Sequence, residues 1–153
     1  MRALILLLLL AVSTPALADD MAGTFGFGWG PVRENDSAIN YKAIKLGYRV
    51  SEHVQLIAGA ITGGSHYITP YQKYDYDTDW YGVNYLEVEQ YLVGGIGIVK
   101  LTRQTRHLTS PYQFVLSFGA HYGPWTAAYQ HLSNGHTGGQ NYGEDMLIFS
   151  YGF

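Results

Sequence analysis

The stretch YQFVLSFGAHY, Tyr112 to Tyr122, constrains the fold more than any other part of the chain. Tyr112, Phe114, Leu116, Phe118, Ala120 and Tyr122 fall at every second position, with Gln113, Ser117, Gly119 and His121 between them and Val115 as the one apolar intruder. A strand sends successive side chains to opposite faces, so this pattern makes a strand with one greasy face and one small or polar face. TFGFGWG repeats it with Phe25, Phe27 and Trp29 against glycines, and HVQLIAGAITGG sets Val54, Leu56, Ala58 and Ala60 against Gln55, Ile57 and Gly59.

A water-soluble sandwich would alternate as well, so the extremes of composition have to choose. The 19 glycines suit the crowded interior of a narrow barrel, the 14 tyrosines suit aromatic belts at strand ends, and only 14% of residues are charged. Cysteine is absent, which excludes a disulfide framework. In the last nine residues, DMLIFSYGF, Leu147, Phe149, Tyr151 and Phe153 share a face and the chain ends on phenylalanine. That ending resembles the closing strand of bacterial outer-membrane barrels, which their assembly machinery recognises. The expected fold is therefore all-β, an eight-stranded antiparallel transmembrane β-barrel of outer-membrane type, in preference to a secreted sandwich or lipocalin-like barrel.

The N-terminal segment reads as a leader. Arg2 supplies a positive start, Ala3 to Ala11 are too few to span a bilayer, and Ala16-Leu17-Ala18 has the small-x-small form that signal peptidase favours. A signal peptide over 1–18 and one barrel domain over 19–153 follow, exported to the bacterial outer membrane. Without Arg2 there are 8 basic and 12 acidic residues, a net charge of −4, which does not suggest a nucleic-acid partner.

Strands are expected over 22–30, 38–50, 54–64, 112–121, 125–133 and 145–153, with two more inside 80–101 whose turn is not visible between Leu86 and Ile96. Tight turns fall at 51–53 and 122–125, and longer polar connections at 31–37, 65–79, 103–111 and 134–143. Glu87 and Glu89 share parity and are expected to form interior ion pairs.

Between the last two strands lies YQHLSNGHTGG. His131 and Ser133 share parity with Trp125, Ala127 and Tyr129, so both face outward near the end of an upward strand, where polar groups in lipid need a reason. A serine hydroxyl becomes a nucleophile when an imidazole takes its proton and an acid orients that imidazole. Two adjacent acids open the final strand. Asp145 shares the outward parity of Leu147 and Phe149, whereas Glu144 goes inward with Met146 and Ile148, so Asp145 is the expected third member. A bulge after Gly143 would exchange the two.

The run His131-Leu132-Ser133-Asn134-Gly135, followed by Asn141-Tyr142-Gly143 and an aromatic C-terminal strand, resembles the lipid A 3-O-deacylases, the PagL-type, acyloxyacyl hydrolase-like hydrolases of outer membranes. The resemblance is specific in the last third of the chain. It implies an esterase that removes the 3-hydroxyacyl chain at position 3 of lipid A in lipopolysaccharide, with Ser133 as nucleophile and His131 as general base. It also implies Asn134 at the oxyanion hole and Asn141 and Gly143 in the substrate-binding loop. Two departures are visible: His136 stands where a small residue is usual, and Asp145 stands where a glutamate is. No metal or organic cofactor is required, and monomer and homodimer both remain open.

The competing class is a non-enzymatic barrel with a structural or adhesive role. Elsewhere, His53, His66, His107, His121 and His136 show no metal-ligand spacing, and DYDTD, Asp75 to Asp79, lacks the glycine and distal glutamate of a calcium loop. Arg103 and Arg106 fit either phosphate contacts or ordinary loop charge.

Overall fold

Alternation of this kind leaves every strand with two unlike faces, and the chain resolves them by closing on itself. The computed structural model describes residues 23–34, 37–63, 65–69, 72–135 and 143–153. Ten strands are formed: β1 (Gly23–Glu34), β2 (Ser37–Arg49), β3 (Val54–Thr62), β4 (Ser65–Thr69), β5 (Gln72–Asp75), β6 (Thr78–Glu89), β7 (Leu92–Leu101), β8 (Tyr112–Tyr122), β9 (Trp125–Ser133) and β10 (Glu144–Gly152). Eight of them close an antiparallel barrel in the order β1-β10-β9-β8-β7-β6-β3-β2, and β4 pairs with β5 as a separate hairpin. The proposed leader lies outside the described residues.

The hidden turn between the fourth and fifth barrel strands is Gln90–Tyr91, where Glu89 pairs with Leu92. Gln90 takes φ 49°, a left-handed conformation usually given to glycine or asparagine. The sequence therefore carries no turn signal there. The β4–β5 hairpin is a second departure, since 65–79 reads as a polar connection.

Closure seals the ladder. Gly23 and Phe153 exchange both backbone hydrogen bonds at 2.9 Å, and β1 pairs with β10 from Thr24 opposite Gly152 to Trp29 opposite Leu147. Followed strand by strand from Lys42, the registers return to β2 ten residues further on, at position 52. Eight strands with that stagger tilt about 40° from the barrel axis. At that tilt Ser133 and the outward, exposed Lys42 and Lys100 stand at about the same height, at the loop end of the wall.

The outer face below them is apolar: Phe27, Trp29, Val83, Ile96, Ile98, Leu116, Phe118 and Phe149 are all exposed. This belt runs about 20 Å down to Tyr122, Trp125, Tyr151 and Phe153 near the turns. Inside, the two halves differ. Toward the loops, Tyr41, Ile61, Trp80, Val99, Leu101, Val115, Leu132 and Met146 form a packed core capped by Leu108 and Tyr76. Toward the turns the lining is polar, with Gln55, Asn84, Ser117 and His121, and Lys45 donates to Gln130 Oε1 at 3.0 Å where the two halves meet. Val115, the intruder in its strand, belongs to the inner core.

Glu87 and Glu89 depart from expectation. Their register sets them on the outer face at the turn end, exposed, with Glu87 accepting from Tyr85 Oη at 2.9 Å and lying 3.5 Å from His53 Nδ1. The two do share a face, but that face is the outward one of Tyr81, Val83 and Tyr85.

Deleting Phe153 removes the two closing hydrogen bonds and the ring that lies over Gly23. With each bond worth about 1 kcal/mol net, the truncated barrel is expected to lose on the order of 2 kcal/mol. A urea titration followed by tryptophan fluorescence checks this, and an unchanged midpoint contradicts it.

Candidate functional site

β9 carries Tyr129, His131 and Ser133 to the outer face, and β10 carries Asp145 and Leu147 to the same face, because on both strands every second residue points out. The β9–β10 register sets His131 directly opposite Asp145. Their side chains meet, His131 Nδ1 lying 2.6 Å from Asp145 Oδ1, and the pair is only partly covered, at 29% and 54% exposure. No bulge intervenes after Gly143, so Asp145 and not Glu144 reaches the imidazole. Tyr129, two residues before His131, donates its hydroxyl to the same carboxylate oxygen.

Three glycines make the geometry possible. Gly143, at φ 73°, lies under the imidazole, and a Cβ there would stand 2.6 Å from His131 Cε1. Its N–H donates to the His107 carbonyl at 3.3 Å. Gly30 is a notch in β1 through which Tyr41, from inside, donates its hydroxyl to the Asp145 carbonyl; a side chain at Gly30 would collide with both groups. Gly135, at φ 58°, turns its N–H toward Ser133 and donates to Oγ at 3.4 Å.

That is the one hydrogen bond of the Ser133 hydroxyl among the described residues. With the serine hydroxyl accepting its hydrogen bond from Gly135, His131 and Ser133 lie on one face roughly 7 Å apart at the backbone, within side-chain reach of each other. Such contacts often tighten only when substrate binds. With Nδ1 facing a carboxylate, the imidazole presents its Nε2 lone pair as the proton acceptor.

The surroundings are apolar. Phe114 lies opposite Ser133 and Leu116 opposite His131 on β8, and on the other side Leu147 adjoins Phe149, whose ring stacks on Trp29 at 5.6 Å. Immediately behind the wall is a second histidine–acid pair. Glu144, 2% exposed, lies 3.3 Å from His107 Nδ1, and His107 meets the Tyr76 ring edge-on at 5.2 Å. Leaving one member of such a buried pair without the other costs about 3–5 kcal/mol, so this inner pair reads as structural.

Asn134 is buried at 1% exposure, on the inward parity of Leu132 and Gln130, rather than beside the serine on the outer face. Asn141 and His136 lie outside the described residues. Gly143 adjoins the site, but its N–H goes to His107. Arg103 pairs with Asp75 at 2.9 Å and donates to the Asp77 carbonyl through Nε at 3.0 Å, so its charge is used within the loops. From sequence, Tyr129 and Gly135 have no role of their own at the site, and nothing singles out Tyr41 or Gly30. Of these only Tyr129 carried a signal, its shared parity with His131 at two residues' distance.

No protein-family model matches the chain, and no curated protein is significantly similar to it.

Replacing Gly143 by alanine adds a methyl group where the imidazole edge lies and strains a left-handed residue. The expected result is a displaced His131 ring with the 2.6 Å contact to Asp145 lost in a crystal structure of G143A. An unmoved imidazole in that structure would refute the close-approach reading.

Proposed function

We propose that the chain is a membrane-embedded serine esterase whose catalytic groups stand on the lipid-facing wall of an outer-membrane barrel. Within that class we assign it the removal of the ester-linked 3-hydroxyacyl chain at position 3 of lipid A. The observation that carries the reading is the His131–Asp145 pair on the outward face, with Ser133 two residues further along the same face. A structural barrel has no need of an ordered imidazole–carboxylate pair amid exposed Phe114, Leu116 and Leu147. Polar groups facing lipid are costly and mark function more often than not.

The level of the serine supports the same substrate. Ser133 stands at the height of Lys42 and Lys100, just above the apolar belt, where lysine ammoniums reach the headgroup layer and an acyl ester meets its sugar. A lipid lying against the wall brings its ester to Ser133 and its chain down over Leu116 and Phe118.

The chemistry follows from the groups present. Ser133 Oγ attacks the ester carbonyl carbon as its proton passes to His131 Nε2, while Asp145 stabilises the imidazolium through Nδ1. The oxyanion forms on the carbonyl oxygen and not on Oγ, so the Gly135 N–H, which donates to Oγ at 3.4 Å, serves it by turning to that oxygen; such a donor is worth about 3 kcal/mol in proteases. The intermediate collapses, the sugar alkoxide leaves with the proton from His131, and water then releases the fatty acid from the serine by the same steps in reverse.

Mass spectrometry of lipid A from cells expressing the protein is expected to show loss of one 3-hydroxyacyl chain. S133A and H131A abolish the loss while the barrel still assembles. D145N lowers it by orders of magnitude, about 10⁴-fold if the acid acts as in serine proteases, whereas E144Q, on the inner face, retains most activity. Unchanged lipid A in cells with the wild-type chain favours the structural or adhesive barrel, and a dead E144Q beside an active D145N overturns the choice of acid.

A further inference from the structure

Asp145 is a short acid on an exposed wall, and its side chain is 54% accessible. An unrestrained aspartate there samples several rotamers, few of which face His131. The structure supplies a restraint. Tyr129 lies diagonally across the β9–β10 ladder from Asp145, next to its own register partner Leu147, and its hydroxyl donates to Oδ1, the oxygen that His131 Nδ1 also faces. From inside, Tyr41 fixes the Asp145 backbone carbonyl through the Gly30 notch.

We infer that Tyr129 is a positioning residue of the site: its phenol locks the Asp145 carboxylate in the rotamer that orients His131, and does so without touching substrate. The inference rests on the proposed esterase for its kinetic consequence, but its structural core, one carboxylate oxygen shared by two donors, holds independently of any activity. A tyrosine suits the task physically. Its ring is rigid with two χ angles, its body packs on the apolar wall beside Phe118 and Leu147, and only its tip is polar.

Two donors on one oxygen also compete. A carboxylate already accepting from a phenol is a weaker acceptor toward the imidazole, so Tyr129 both orders the acid and moderates its pull on Nδ1–H. Among the described residues, Asp145 faces His131 from β10, Tyr129 and Ser133 flank it on β9, Gly143 lies under its ring, and β8 sets Phe114 and Leu116 beside it. Glu144, His107 and Tyr41 are behind the wall, on the inner side.

The test is Y129F, which removes one oxygen and keeps the ring. In the purified, refolded barrel, the downfield proton resonance of the His131 Nδ1–H is expected to move further downfield or to broaden as the carboxylate loses its second donor. With a lipid A substrate, kcat falls about tenfold with KM little changed; Y151F, on the same face but remote, changes none of these. A resonance and a kcat identical to wild type in Y129F would overturn the inference. Failure of the esterase reading is separate: it appears as a wild-type chain with no deacylation, in which case the proton resonance alone decides the role of Tyr129.

Discussion

Everything in this molecule depends on a backbone ladder that closes. A strand edge left open exposes unpaired N–H and C=O groups, and closure of β1 on β10 removes the last two edges of the sheet. Once closed, the pleat leaves each residue one of two destinations. The packed inner core, the polar inner half toward the turns and the apolar outer belt are three consequences of that assignment.

The candidate site uses the same rule at its finest scale. Glu144 and Asp145 are neighbours in sequence and chemically alike, yet one is 2% exposed against His107 and the other lies outside against His131. A shift of one residue in the β9–β10 register would exchange them. The exchange is prevented by side chains on both faces: Met146 and Ile148 fill the core, Leu147 and Phe149 belong to the outer belt, and Gly143 absorbs the turn into the strand at φ 73°. The chemistry of the proposed esterase is thus maintained by packing that never touches the reacting atoms.

The wall is also the means of coupling between the two faces. Tyr41 spans from the inner core to the Asp145 carbonyl, and the Gly143 N–H joins the outer pair to the 102–111 connection through His107. In a sheet one residue thick, an outward group can be supported from inside, and glycines at 30 and 143 are where that support passes. Tyr129 adds a support that comes from the outer face itself.

The sequence by itself determined six of the eight barrel strands, their faces and the identity of the outward histidine, serine and aspartate, because period two is a local property that any neighbour can be read against. It also separated Asp145 from Glu144 by parity alone. It did not reveal the Gln90–Tyr91 turn, whose left-handed residue is not glycine, nor the outward face of Glu87 and Glu89, since a polar residue near a rim is compatible with either side. Only the tertiary structure decided which residues meet across strands. The shared oxygen of Asp145, the Gly30 notch and the seat of His131 on Gly143 all depend on register between segments up to 115 residues apart, as Gly30 and Asp145 are. Nothing local encodes that distance: it is fixed by the closed ladder, which brings the first strand and the last together.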